Sequence, residues 1–200
     1  IKTISVTFIG RKDHVMHHLI QEAVFDQPRF TSMISGSGIL DWIRVGGQQL
    51  DIRFEHELSL KGGNTVDIVF TELDGRELYP NVEEGSVDGE FFPSAHKGYV
   101  GIIVLYKSTC PEETLAHEVF HALQSVAHKG DPKLRLWEED LWRRSEFPQG
   151  SYALRGGPLE GAAEVWRAHL GHWDYYMEDH LWVLEDEWGR YFDAVISHCW

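Results

Sequence analysis

The chain has 200 residues and a mass of 23.0 kDa, enough for one domain, or one domain in two lobes, with a core that needs no disulfide staples. Hydrophobic residues make up 42% of it, and eight Trp, seven Tyr and ten Phe exclude an extended disordered chain. With 18 basic against 32 acidic residues the formal net charge is −14, which makes nucleic acid and anionic membrane poor partners.

In chain order, Ile1–Ile9 is β-rich and predicts a strand. Asp13 then sits where it would cap a helix carrying Val15, Met16, Leu19, Ile20, Ala23 and Val24 at helical spacing, ended by Gln27-Pro28. Residues 31–49 hold Gly36, Gly38, Gly46 and Gly47 and read as loop, with a short strand at Trp42–Val45. Leu50–Leu60 alternates, with Leu50, Ile52 and Phe54 on one face, and predicts one strand. Gly62-Gly63-Asn64 is a turn signal, and Thr65–Leu73 a second strand, followed by a polar loop rich in Gly and Glu. Glu90-Phe91-Phe92 is a short strand stopped by Pro93. Tyr99–Tyr106 is a near-continuous apolar run, the pattern of a strand inside a sheet.

Pro111 to about His128 predicts a helix. Thr109-Cys110-Pro111-Glu112 has the spacing of a capping box, with Pro in the first turn, and Gly130 and Pro132 stop the helix. Pro158–Leu170 reads as a further helix ended by Gly171, and Tyr175 to about Ile196 as one or two more. Seven of the eight Trp lie between Trp137 and Trp200, more a core than a stacking platform for ligands. Residues 1–106 are thus sheet-rich and 111–200 helix-rich, which predicts an α+β fold: a single domain over 1–200, with lobes at about 1–128 and 129–200.

Cys110 and Cys199 make neither a disulfide framework nor a CxxC, and no apolar run is long enough to span a membrane. The chain begins at Ile and shows no signal-peptide pattern. These features slightly favour a reducing compartment; a mature secreted form with its leader removed fits the same features.

The chemistry centres on His117-Glu118-Val119-Phe120-His121. On a helix, residues i and i+4 share a face with about 6 Å of rise between them, so two imidazoles converge on one cation. Glu118, beside the first His, is placed to act as general base on a water activated there. In a chain of this composition chance alone yields roughly 0.07 such pentapeptides, so context has to decide between a metal site and a solvated helix face. Leu115, Val119, Leu123 and Val126 give this helix an apolar face, and a packed helix bearing His, Glu and His needs a reason for that polarity. Zinc requires a third protein ligand and suits two His and a carboxylate better than magnesium or calcium does. The metzincin pattern HExxHxxGxxH is not met, because Gln124 and Ala127 stand where it needs Gly and His, and His128 is out of register by one. The third ligand must come from another element. Gly156-Gly157-Pro158-Leu159-Glu160-Gly161-Ala162-Ala163-Glu164 offers Glu160 and Glu164 one turn apart, with small residues that permit close helix approach.

HEVFHALQ followed by PLEGAAE resembles the gluzincin branch of the zincin metallopeptidases, closest to the minigluzincins with HExxHxxQ and a later Pro-x-Glu-x-x-Ala. The resemblance implies Zn2+ held by His117, His121 and Glu160, with Glu164 hydrogen-bonded to a zinc-bound His. It also implies a zincin-like fold, with a mixed-sheet upper lobe, the HExxH helix, a helical lower lobe and the active-site cleft between the lobes. The order of elements over residues 1–128 is similar to the zincin upper lobe, in which the strand before the last is the open edge for substrate; here that is Gly89–Phe92, with Glu90, Phe91 and Phe92. The Trp-rich C-terminus departs from the smallest family members.

Tyr152, eight residues before Glu160, is a candidate donor to a tetrahedral oxyanion, with an ordinary packed tyrosine as the alternative. His169 and His172 read as helix-end histidines, His14, His17 and His18 as a polar helix face, and Glu138, Glu139 and Asp140 as a solvated charge run. The expected activity is that of a zinc metalloendopeptidase acting on peptide or protein substrates, with Glu118 as base. The rivals are a catalytically silent, zinc-stabilised interaction module on the same fold, and a metal-free acidic binding protein.

Overall fold

Alternation in the first half of the chain turns into paired strands, and the 3.6-residue periods of the second half into packed helices. The computed structural model describes residues 42–45, 48–51, 54–70, 74–78, 88–95, 97–107, 111–170 and 184–199. The strand and helix expected before residue 42 lie outside these residues, as do His14, His17, His18, Thr109, Cys110, His172, Trp173 and Trp182.

Trp42–Val45 (β1) pairs antiparallel with Gln48–Asp51 (β2), Ile43 lying opposite Leu50. Phe54–Leu60 (β3) and Asn64–Phe70 (β4) form a hairpin from Phe54↔Phe70 to Leu60↔Asn64. Its tip, Lys61–Gly63, places Gly62 and Gly63 at φ 75 and 76, a region Gly enters without the steric cost of a Cβ. Tyr99–Leu105 (β6) runs parallel to β4, and Gly89–Pro93 (β5) antiparallel to β6. The order across this four-stranded mixed sheet is β3-β4-β6-β5. Val66, Ile68 and Val69 of β4 and Val100, Ile103, Val104 and Leu105 of β6 are buried, as inner strands require. Among the described residues β5 pairs with β6 alone and ends the sheet.

Two expectations change. The single strand expected over Leu50–Leu60 is divided between two sheets: β2 pairs with β1, and β3 with β4. Alternation fixes which side a residue faces but not which neighbour it pairs with, and Trp42–Val45 claims the first part. The loop expected after β4 holds a single helical turn, Gly75–Leu78 (α1), where Asp74 Oδ1 accepts from the Arg76 amide at 2.9 Å. Four residues are too few for a period to show.

Pro111–Gly130 (α2) carries the HExxH pentapeptide. Pro132–Arg144 (α3) follows at once, although the sequence reading took Pro132 only as a stop. Pro132 instead opens a new helix, capped by Asp131, whose side chain accepts from the Lys133 amide at 3.0 Å. Tyr152–Arg155 (α4) is one turn, Gly157–His169 (α5) follows it, and Glu185–Cys199 (α6) closes the described chain. Phe120, Trp166, Trp188, Tyr191 and Phe192 are fully buried. Phe120 stacks on Trp166 at 5.1 Å, and Phe192 meets Trp166 edge-on at 5.1 Å. Trp166 and Trp188 are therefore core, as expected. The chain resolves into two compact units, with the boundary inside α2 between Glu118 and Val119. Among the described residues no helix is long and apolar enough to cross a membrane.

Candidate metal centre

One turn of α2 separates His117 from His121, so both rings stand on the same side of one continuous helix. Glu160 sits in the first turn of α5, two residues after Pro158, where a helix N-terminus favours a carboxylate. One nitrogen from each His and one Glu160 oxygen lie within 4.8 Å of one another. His121 Nε2 is 3.3 Å from Glu160 Oε2. Two ligand atoms on one tetrahedral ion with bonds of about 2.0–2.1 Å stand about 3.3 Å apart, so the His121–Glu160 spacing suits a shared ion, and the three residues could hold a metal. Among the described residues it is the one group of three His, Cys, Asp or Glu arranged in this way.

His117 and Glu118 are both 7% exposed. The start of β5 lies against Glu118: a Cβ added to Gly89 would come within 3.2 Å of Glu118 Cγ and 2.6 Å of Thr114 Cγ2. Only Gly permits this approach of strand to helix. Next along β5, Glu90 Oε2 accepts from the Tyr106 hydroxyl at 2.5 Å, while Phe91 and Phe92 lie opposite Ile103 and Ile102.

The other expected residues have these surroundings. Glu164 is buried one turn beyond Glu160, where its Oε2 accepts from Arg167 Nη2 at 2.7 Å. Tyr152, first residue of α4, is 53% exposed. His169 packs its ring 5.3 Å from Phe192 at the end of α5. His128 Nε2 is 3.2 Å from the Tyr191 hydroxyl. Cys199 is buried, its Sγ 3.5 Å from the Leu123 carbonyl, and burial pushes its thiol up to about 12, which makes it inert.

The sequence reading missed the other half of the polar architecture. His121 Nδ1 is 2.9 Å from Gln124 Oε1. Gln124 Nε2 donates to Glu138 Oε2 at 2.7 Å and to the Leu159 carbonyl at 3.2 Å. The Tyr191 hydroxyl also donates to Glu138 Oε2, and His128 Nε2 lies 3.6 Å from that oxygen. Glu138 is 0% exposed, which corrects its assignment to a solvated charge run. Leu134, Glu138 and Leu141 share the inner face of α3, and that 4-then-3 spacing was the signal available in the sequence. Burial raises the Glu138 carboxyl to about 7, against hydrogen bonds from Tyr191 and Gln124 that favour its charged form. Burial likewise pushes the Tyr191 hydroxyl far above its usual range and the His128 imidazole below its own.

Comparison with protein-family models, with curated proteins and with solved structures finds no match for this chain. The functional reading therefore rests on the site.

Proposed function

We propose that this chain is a zinc-dependent endopeptidase of zincin type, with zinc held by His117, His121 and Glu160. The observation that carries the reading is the convergence of those three donors, with the buried Glu118 next to His117 in the chain. The α+β architecture supports it, because a four-stranded mixed sheet precedes the helix that bears the motif. When bound, zinc polarises a scissile carbonyl and lowers the pKa of water at the site. Glu118 takes the proton of the attacking water and passes it to the leaving amine, the work of a positioned general base. A structural zinc site closes with four protein ligands and has no use for such a base. A peptide adds as a further strand along Glu90, Phe91 and Phe92, its side chains alternating between faces. The Gly89 contact brings the start of that edge to Glu118. Tyr152 is the candidate donor to the oxyanion, and Glu164 the candidate acceptor of a ring N–H of a ligating His.

The test is metal analysis and peptide-library cleavage on tag-free protein. Near one equivalent of zinc, with cleavage lost in Glu118→Gln and zinc retained, is the expected result. Protein that takes up no zinc, or a Glu118→Gln variant that cleaves like the wild type, refutes the reading.

A further inference from the structure

Gln124 presents an amide, whose nitrogen end only donates and whose oxygen end only accepts. The Leu159 carbonyl, 3.2 Å away, only accepts, and Glu138 Oε2 lies 2.7 Å from the same amide nitrogen. The nitrogen end is therefore committed to that side, which leaves Oε1 facing His121 Nδ1 at 2.9 Å. An oxygen acceptor at that distance requires hydrogen on Nδ1. A neutral imidazole has one N–H, so its lone pair is on Nε2, the atom 3.3 Å from Glu160 Oε2. The partners of this amide come from three helices: α2 supplies His121, α3 Glu138, and α5 the Leu159 carbonyl. The Tyr191 hydroxyl of α6 holds Glu138 from its far side. Gln124 and Glu138 are buried and His121 is half-buried, so water competes poorly for the bonds between them.

We propose that Gln124, locked by Glu138 and the Leu159 carbonyl, is the positioning residue of the metal centre: it holds the His121 hydrogen on Nδ1 and presents Nε2 to the cation. The proposal rests on the zinc reading above and adds a residue set to it. Without this lock the ring can rotate and can adopt the Nε2–H form, and either change removes the donor atom from the site. Loss of an outer hydrogen-bond partner of a metal-bound His typically weakens metal binding about 10–100-fold.

The experiment uses the full chain in four forms: wild type, Gln124→Leu, Glu138→Leu and the paired swap Gln124→Glu with Glu138→Gln. Long-range 1H–15N spectra of the His121 ring are recorded in chelator, and zinc dissociation constants are measured by competition. The wild-type ring should show the Nδ1–H form. Gln124→Leu should gain the Nε2–H form and bind zinc about 10–100-fold more weakly, with Glu138→Leu shifted in the same direction. The paired swap keeps an acceptor at Nδ1 and an amide donor beside it, while it turns a carboxylate oxygen toward the Leu159 carbonyl, so its ring should keep the Nδ1–H form. A wild-type ring in the Nε2–H form overturns the proposal without recourse to any variant, as does a Gln124→Leu protein with unchanged affinity or a paired swap whose ring takes the Nε2–H form. Wild-type protein that binds no zinc overturns the functional reading together with the positioning role; zinc binding with the wrong tautomer overturns the positioning role alone.

Discussion

The middle of α2 gathers His117 and His121 with Glu160, with Glu118 next to His117 in the chain, whereas its last turns direct Gln124 and His128 toward Glu138 and Tyr191 in the interior. Both sets break the apolar rule of a packed helix, and they do so in different ways. In the first, two imidazole nitrogens and a carboxylate oxygen converge, an arrangement that a cation satisfies. In the second, donors and acceptors are already matched, apart from Glu138 Oε1, which has no partner among the described residues. A helix can thus carry one polar cluster that could hold a metal ion and another whose donors and acceptors are matched within the protein, with Gln124 as the link between them.

The largest effects should separate the two clusters by function. Glu118→Gln should lower turnover by roughly 10²–10⁴ at unchanged zinc content, and steady-state cleavage with metal analysis measures both. His117→Ala and His121→Ala should each weaken zinc binding by more than the roughly 10–100-fold that follows loss of an outer partner. Full zinc in both single variants would erase the distinction between the two clusters.

Next come the two carboxylates of α5. Glu160→Ala should be isolated largely metal-free, because Glu160 contributes an atom to the convergent group. Glu164→Ala should keep zinc with affinity about 10–100-fold lower, because Glu164 would act on a ligating ring rather than on the metal. Dissociation constants for the pair decide the matter: if Glu164→Ala is the metal-free protein, the ligand assignment is displaced by one helical turn.

The completed cluster should show itself in stability against pH. The Glu138 carboxyl is raised from 4.5 to about 7 by burial, so the folded state holds its proton more tightly than the unfolded state does. Its contribution is fully present below about pH 4.5, declines as pH rises toward 7 and is flat above, a change on the order of 3 kcal/mol at most. His128, lowered by burial, works in the opposite direction, while Tyr191 and Gln124 face the carboxyl and Glu139 and His121 act on it through space. Urea unfolding of wild type and Glu138→Gln in chelator isolates the carboxyl: the advantage of the wild type should shrink between pH 4.5 and 7. A difference independent of pH would mean that Glu138 is hydrated like an exposed glutamate.

The smallest expected effect is that of Tyr191→Phe, which removes one donor from Glu138 and leaves the ring packing in place. It should cost about 1–3 kcal/mol in urea unfolding, the range for a buried acceptor deprived of a donor, and leave zinc affinity close to wild type. A zinc loss as large as that of Gln124→Leu would show that the two clusters are one.

Much of the site could be read in the sequence because the rule that assembles it is local. His117 and His121 face the same way on any helix, and Glu160 stands out as a carboxylate in a first turn flanked by small residues. The apolar run of β6 and the buried Trp166 and Trp188 were readable for a similar reason, since burial follows from residue type. Glu138 was not, because Glu138-Glu139-Asp140 looks solvated unless α3 is recognised, and Pro132 pointed to an end rather than a beginning. Gln124 entered as a mismatch to the metzincin pattern and as the last residue of the HExxHxxQ resemblance, without a partner or a role. Its partner Glu138 is 14 residues away, and the Leu159 carbonyl 35.

By itself the sequence determined the α+β division, the helix that carries HExxH and the pairing of His117 with His121 on one face, because strand alternation and helical spacing act over a few residues; the choice of Glu160 over Glu164 came from the family resemblance. The tertiary structure decided which strand each half of Leu50–Leu60 joins, that Glu138 is buried and paired with Tyr191 across 53 positions, and that Glu160 meets His121 across 39. Such partners are chosen by the packing of whole helices and sheets, where burying one face of an element settles the position of every side chain on it.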